Sequence, residues 1–152
     1  MPGNENAQIK QESETITLVE KHIIRRNDPR YLPIDRAAFA SKNLYNLCNY
    51  HIRQAYIREH RHLPLNEVYA ILKVTDAYKA LPRKVTNQVI LQVYHDWGAY
   101  YEAIKVWRLA PDKFLGKPKI PKYKDKQSGR NVLTYEKGAI SRDKNLTSQG
   151  VI

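Results

Sequence analysis

FLGKPKIPKYKDKQSGRNVLTY, residues 114–135, sets a lysine at almost every second position and breaks the run with two prolines. Read as an extended chain, its side chains alternate between two faces. That puts Lys117 and Lys119, and after the Pro121 step Lys122, Lys124 and Lys126, in basic rows along one edge. Such a row faces water or phosphate. Gly116, Pro118, Pro121 and Gly129 punctuate the stretch, and its last part, NVLTYE (131–136), reads as a strand. A sheet of some kind is therefore expected, and the chain on either side decides what surrounds it.

Upstream, the first residues lack periodicity and read as a flexible arm over 1–15. ITLVEKHIIRRN (16–27) is short and rich in β-branched residues, so it reads as a second strand, closed by the Asp28-Pro29 turn signal. Between these two extended pieces lie three helical patterns. Ala37, Ser41, Leu44, Cys48, Ile52 and Ala55 recur at three- and four-residue steps and predict a long amphipathic helix over about 34–60. Leu63-Pro64 breaks it and opens LNEVYAILKVTDAYKAL, with Val68, Leu72 and Thr75 or Asp76 marking its face. Leu81-Pro82 repeats the device for a third helix, whose Val85, Val89, Val93, Trp97, Tyr100 and Ile104 mark one stripe. Lys84, Gln88, Gln92, His95 and Glu102 mark the opposite face. Three helices joined by short Pro-containing turns can share a core. The expectation is an α+β fold in which a three-helix bundle is inserted between the halves of a sheet. LTSQGVI (146–152), after the turn-like RDKN, reads as a further strand beginning, so that sheet is expected to be incomplete and the chain part of something longer.

At 152 residues with 42% hydrophobic side chains, the chain is long enough to bury a real core. No run approaches the roughly 18 apolar residues of a membrane span, and the start has no secretion-type apolar region, so a cytoplasmic protein away from membranes is expected. The single cysteine, Cys48, excludes an intramolecular disulfide and any cysteine-clustered zinc site, and reads as a core thiol.

The net charge is +11 and is unevenly placed. Residues 1–14 carry −2 and residues 63–112 carry +1. Residues 20–62, with nine basic and four acidic side chains, carry +5, and residues 113–144, with ten and three, carry +7. A near-neutral middle between two basic segments is the electrostatic footprint of a nucleic-acid binder, and eleven tyrosines supply rings that stack on bases or fill a core. Arg25, Arg26 and Arg30 crowd the first extended segment, where guanidinium forks suit phosphate or guanine edges. Arg53 and Arg58 extend the basic character along the first helix, and Lys84 opens the third. The lysines of the opening stretch, with Tyr123 and Arg130, supply point charges suited to tracking a backbone more than to reading bases. Catalytic patterns are missing: there is no Gly-rich phosphate loop, HExxH or Gly-x-Ser-x-Gly elbow. His60-x-His62 has no third ligand in view and reads as a solvated basic turn.

The order of these features resembles a known family. A charged β-strand, a Tyr-rich first helix, the helix start Leu81, Pro82, Val85, Gln88, Val89, and then Gly116, Lys117, Pro118, Pro121, Tyr123, Lys124 followed by Tyr135 resemble the N-terminal half of the transposon-encoded OrfB proteins, the TnpB family. That family is similar to the miniature type V CRISPR nucleases. The likeness covers roughly residues 16–140. It implies a wedge-type β-barrel, incomplete here, in two regions (16–33 and 113–152) around a helical recognition lobe (34–112). It also implies a lobe that grips guide RNA and double-stranded target DNA, with base pairing supplying most sequence specificity. A nuclease half or a transposase would be a further partner. The family's metal-binding carboxylates and four-cysteine zinc element belong to a part absent from this chain, so no cofactor and no cleavage activity is expected of these residues alone. The competing readings are a stand-alone helical DNA-binding regulator, disfavoured by the core-like Trp97 and Tyr100, and a non-functional transposase remnant.

Overall fold

Helix α1 spans Tyr31–Arg58 in the computed structural model, which describes residues 19–137. It begins three residues before the sequence pattern places it. Pro33 is tolerated there because the amide nitrogens of a first turn have no intrahelical partner to lose. Its apolar stripe is the one the spacing predicts: Leu44, Cys48, Ile52 and Ala55 are buried. At the far end the Glu59 and Arg61 amides both donate to the Ala55 carbonyl (3.1 and 3.2 Å), with His60 in the left-handed region at φ 51°.

The predicted second helix is two. Helix α2 covers Leu65–Leu72 and α3 covers only Asp76–Lys79. Thr75 divides them: its hydroxyl donates to the Leu72 carbonyl (2.7 Å) and accepts from the Tyr78 amide (3.3 Å), capping α3 and ending the preceding turn. Helix α4, Arg83–Leu109, follows, and a short 3-10 turn at Pro111–Lys113 ends the helical part. Pro64 and Pro82 stand immediately before their helices in extended conformation, and their carbonyls accept the Val68 and Thr86 amides.

Contacts between α1 and α4 rise together in number: Tyr45 meets Asp96, Asn49 meets Trp97 and Tyr56 meets Tyr100. The first and last helices are therefore parallel, with α2 and α3 making the return. Val68 and Leu72 close the core on one side, and α4 contributes Val85, Val89, Ile90, Val93 and Trp97, all at most 2% exposed. The face of α4 that the sequence assigns to the interior is interior throughout.

The expected sheet does not form. Every regular element among the described residues is helical, so the α+β class and its wedge-type β-barrel are corrected to an all-helical bundle crossed by an extended strap. In the first strand region, residues 19–25 have no strand partner, and Val19 and Ile23 are 89% and 73% exposed; residues 16–18 lie outside the described part. NVLTYE is extended and alternates as a strand would: Asn131, Leu133 and Tyr135 face inward, Val132 and Thr134 outward. It has no neighbouring strand among the described residues, and its inward side chains pack on the helices. The further strand expected at 146–152 lies outside the described residues.

Extended backbone buried against a helix still needs hydrogen-bond partners, and the strap finds them in side chains. From Lys117 to Glu136 it descends along α1 and α4. The Lys124 amide donates to Asn46 Oδ1 (2.8 Å) and its carbonyl accepts Asn46 Nδ2 (2.9 Å), while Lys42 Nζ donates to the Lys126 carbonyl (2.7 Å). The Asn131 amide reaches the Ala38 carbonyl (3.1 Å), and Ser41 Oγ donates to the Val132 carbonyl (3.1 Å).

Candidate nucleic-acid interface

The candidate surface rests on a polar stripe of α1. Asp35, Ala38, Lys42, Asn46, Asn49 and Arg53 follow one another at steps of three or four, so they share one helical face, beside the apolar one. Each binds the strap. Asn49, fully buried, donates Nδ2 to the Pro121 and Lys122 carbonyls (3.1 and 3.3 Å) and accepts Trp97 Nε1–H on Oδ1 (2.9 Å). Arg53 Nη1 donates to the Pro121 carbonyl (2.7 Å), and its guanidinium lies 4.8 Å from the Tyr123 ring centre. At the lower end Asp35 takes a two-pronged ion pair from Arg130 (2.7 and 2.8 Å). Arg130 holds the Asp35 carboxyl below the usual carboxylate range, with a smaller contribution from Arg26.

A tight turn sits between these fastenings. Asp125 Oδ1 accepts the Ser128 amide (2.7 Å), the Ser128 hydroxyl (2.7 Å) and the Gln127 amide (2.9 Å), which lower its carboxyl below the usual value, the Ser128 amide first. Gly129 is required here, because a Cβ at that position would run into the Asp125 carbonyl.

Fastened in this way, the strap turns most of its lysines outward. Lys117, Lys119, Lys122 and Lys126 are exposed, and none has a carboxylate partner among the described residues. Lys117 Nζ lies 5.6 Å from the Trp107 ring centre. Lys124 departs from the predicted row: it is half-buried, with Nζ 4.5 Å from the Tyr45 ring centre. The prolines shift the alternation, and Ile120, which packs on the core, sets which neighbours face out.

The remaining candidates fall into three groups. Arg25 and Arg26 are exposed just before α1, without ion-pair partners among the described residues, and Arg26 lies near enough to Asp35 for its charge to act there. Arg58 and Lys84 are exposed at opposite ends of the bundle, the last residue of α1 and the first turn of α4, and neither takes part in fastening the strap. Arg30 and Arg130 are committed to carboxylates. The Arg30 guanidinium forks onto Asp28 (2.7 and 3.0 Å) and holds that carboxyl down at about 2. Arg53 holds the strap and does not project freely. Sequence reading missed Lys42, Asn46 and Asn49, although their spacing beside the apolar stripe is visible once a partner for that face is sought.

Cys48 is buried, and burial pushes its thiol up to about 12, which keeps it protonated and unreactive. Among the described residues no group of three or more His, Cys, Asp or Glu side chains could hold a metal ion, and no helix is long and apolar enough to cross a membrane. Comparison with protein-family models, with curated proteins and with solved structures finds no match to this chain.

Proposed function

We propose that this chain binds nucleic acid along its phosphate backbone, as the portion of a TnpB-like protein that grips guide RNA and target DNA. The observation that carries the binding is the row Lys117, Lys119, Lys122 and Lys126, exposed, free of carboxylate partners among the described residues, and held on a strap that α1 fastens at six positions. A fixed row of ammonium groups suits a polyanion because the ordering of the strap has already been met within the fold. The TnpB-like assignment rests on the resemblance of the Leu81-Pro82 helix start and the Gly116–Lys124 segment, and it names structured RNA as the client. No catalytic role is proposed for any residue.

The test is to purify the chain from its own host, measure its absorbance ratio and sequence any nucleic acid it carries. A single structured RNA species is expected. With duplex DNA, neutralising about six phosphates makes log K fall against log salt with a slope of roughly −5. Protein free of RNA whose binding to RNA and DNA is absent or insensitive to salt overturns the proposal.

A further inference from the structure

A groove of about 460 Å³ runs between α4 and the upper part of the strap. Its floor is Ala99 and Ala103 beside Tyr100, and its far wall is Pro118 and Pro121, whose rings fix the backbone they belong to. Lys119 and Lys122 stand on its rim, exposed and without carboxylate partners among the described residues. One carboxylate faces in. Asp96 accepts the Tyr45 hydroxyl on Oδ2 (2.7 Å), while its Oδ1 has no hydrogen-bond donor among the described residues. The Tyr45 bond fixes the direction of the carboxylate, so Oδ1 is an acceptor held ready for a ligand's N–H.

A ligand that fits needs an apolar flat body for the alanine and proline surfaces, an N–H donor for Asp96 and negative charge for the lysines. We infer that the groove takes one unstacked nucleotide of a single strand whose base carries an exocyclic amino group, with that group on Asp96 Oδ1 and the adjoining phosphates on Lys119 and Lys122. The inference rests on the nucleic-acid reading above and adds base discrimination to it. Single-stranded recognition of this kind, with a splayed base read by its polar edge and phosphates held nearby, is common chemistry for protein surfaces. Thymine and uracil lack the amino group, and their one donor on that edge, N3–H, lies between two carbonyl oxygens that the carboxylate repels.

The test measures binding of short oligodeoxycytidine and oligodeoxythymidine strands at one low salt concentration. The cytidine strand is expected to bind about tenfold tighter, the scale of one hydrogen bond to a charged acceptor. Asp96→Asn keeps an acceptor for Tyr45 but offers the groove an amide N–H, so the preference is expected to vanish or invert. Lys119→Ala and Lys122→Ala weaken both strands equally. Ala99→Leu fills the groove from an exposed helical position, preserves the circular-dichroism spectrum and abolishes the preference. Equal binding of the two strands by the wild-type chain, or a preference untouched by Asp96→Asn, overturns this inference alone. If no nucleic acid binds at all, the backbone-binding proposal falls with it.

Discussion

Asn49 joins three parts of the molecule through one amide group. Its oxygen accepts the buried Trp97 indole N–H of α4, and its nitrogen donates to two consecutive strap carbonyls, Pro121 and Lys122. Truncation to alanine strands the buried indole donor, takes from the Lys122 carbonyl its side-chain partner and leaves a small void, while the Pro121 carbonyl keeps Arg53; each unsatisfied buried group costs about 1–3 kcal/mol. Asn49→Ala is therefore expected to destabilise the fold by about 2–4 kcal/mol, read as a lower urea midpoint at an unchanged slope. Asn46→Ala, at a half-buried site, should cost about 1 kcal/mol. Equal losses at the two positions would show that the link to Trp97 contributes nothing. Neither asparagine stands out in the sequence. Asn49 directly follows the core residue Cys48, and an amide's importance depends on what is brought against it.

At the scale of elements, the helices were legible and the strap was legible only in part. Val85 through Ile104 on α4 and Leu44 through Ala55 on α1 repeat at the helical period, and burial of the repeated face follows directly from that period. The break at Thr75 is local chemistry that a hydrophobic pattern does not register. For NVLTYE the alternation was correct and the partner was wrong, because an extended segment alternates in the same way against a strand or against a helix. What separates the two cases is the supplier of hydrogen bonds: here the Ala38 carbonyl and the Ser41 hydroxyl of α1 meet Asn131 and Val132, as Lys42, Asn46, Asn49 and Arg53 meet the strap before them.

The same fastenings make the strap sensitive to acid. Folding lowers the Asp35 and Asp125 carboxyls below the ordinary value of 3.8, so their stabilisation is complete above that value and is lost as pH falls through the lower folded values. Amide exchange measured from neutral pH down to acid is expected to show residues 124–131 opening below the ordinary carboxylate range, ahead of α1 and α4. Asp35→Asn should loosen the lower end of the strap already at neutral pH and flatten part of its acid response. An unchanged pH profile in that variant would show that the Arg130 pair does not fasten the strap.

Over the whole molecule, an uneven charge distribution was plain in the sequence, but its division into structural and available charge was not. Arg30, Arg53 and Arg130, all candidates by charge alone, are engaged within the fold, whereas Lys117, Lys119, Lys122 and Lys126 are free of carboxylates among the described residues. That division makes two kinds of variant behave differently. Replacing the four lysines by alanine removes four ammonium groups from solvent-facing positions, so the melting temperature should stay within a degree or two while the salt slope for duplex DNA becomes shallower by roughly 3–4, at ~0.9 per phosphate contact. Arg53→Ala removes no exposed row but takes away the shorter of the two hydrogen bonds on the Pro121 carbonyl and the cation over the Tyr123 ring, so it should lower the melting temperature and weaken binding through displacement of the strap. A salt slope unchanged in the fourfold variant would mean that the lysine row does not touch phosphate. A melting temperature unchanged in Arg53→Ala would mean that the strap keeps its place without Arg53, and the two measurements together separate what holds the surface from what the surface holds.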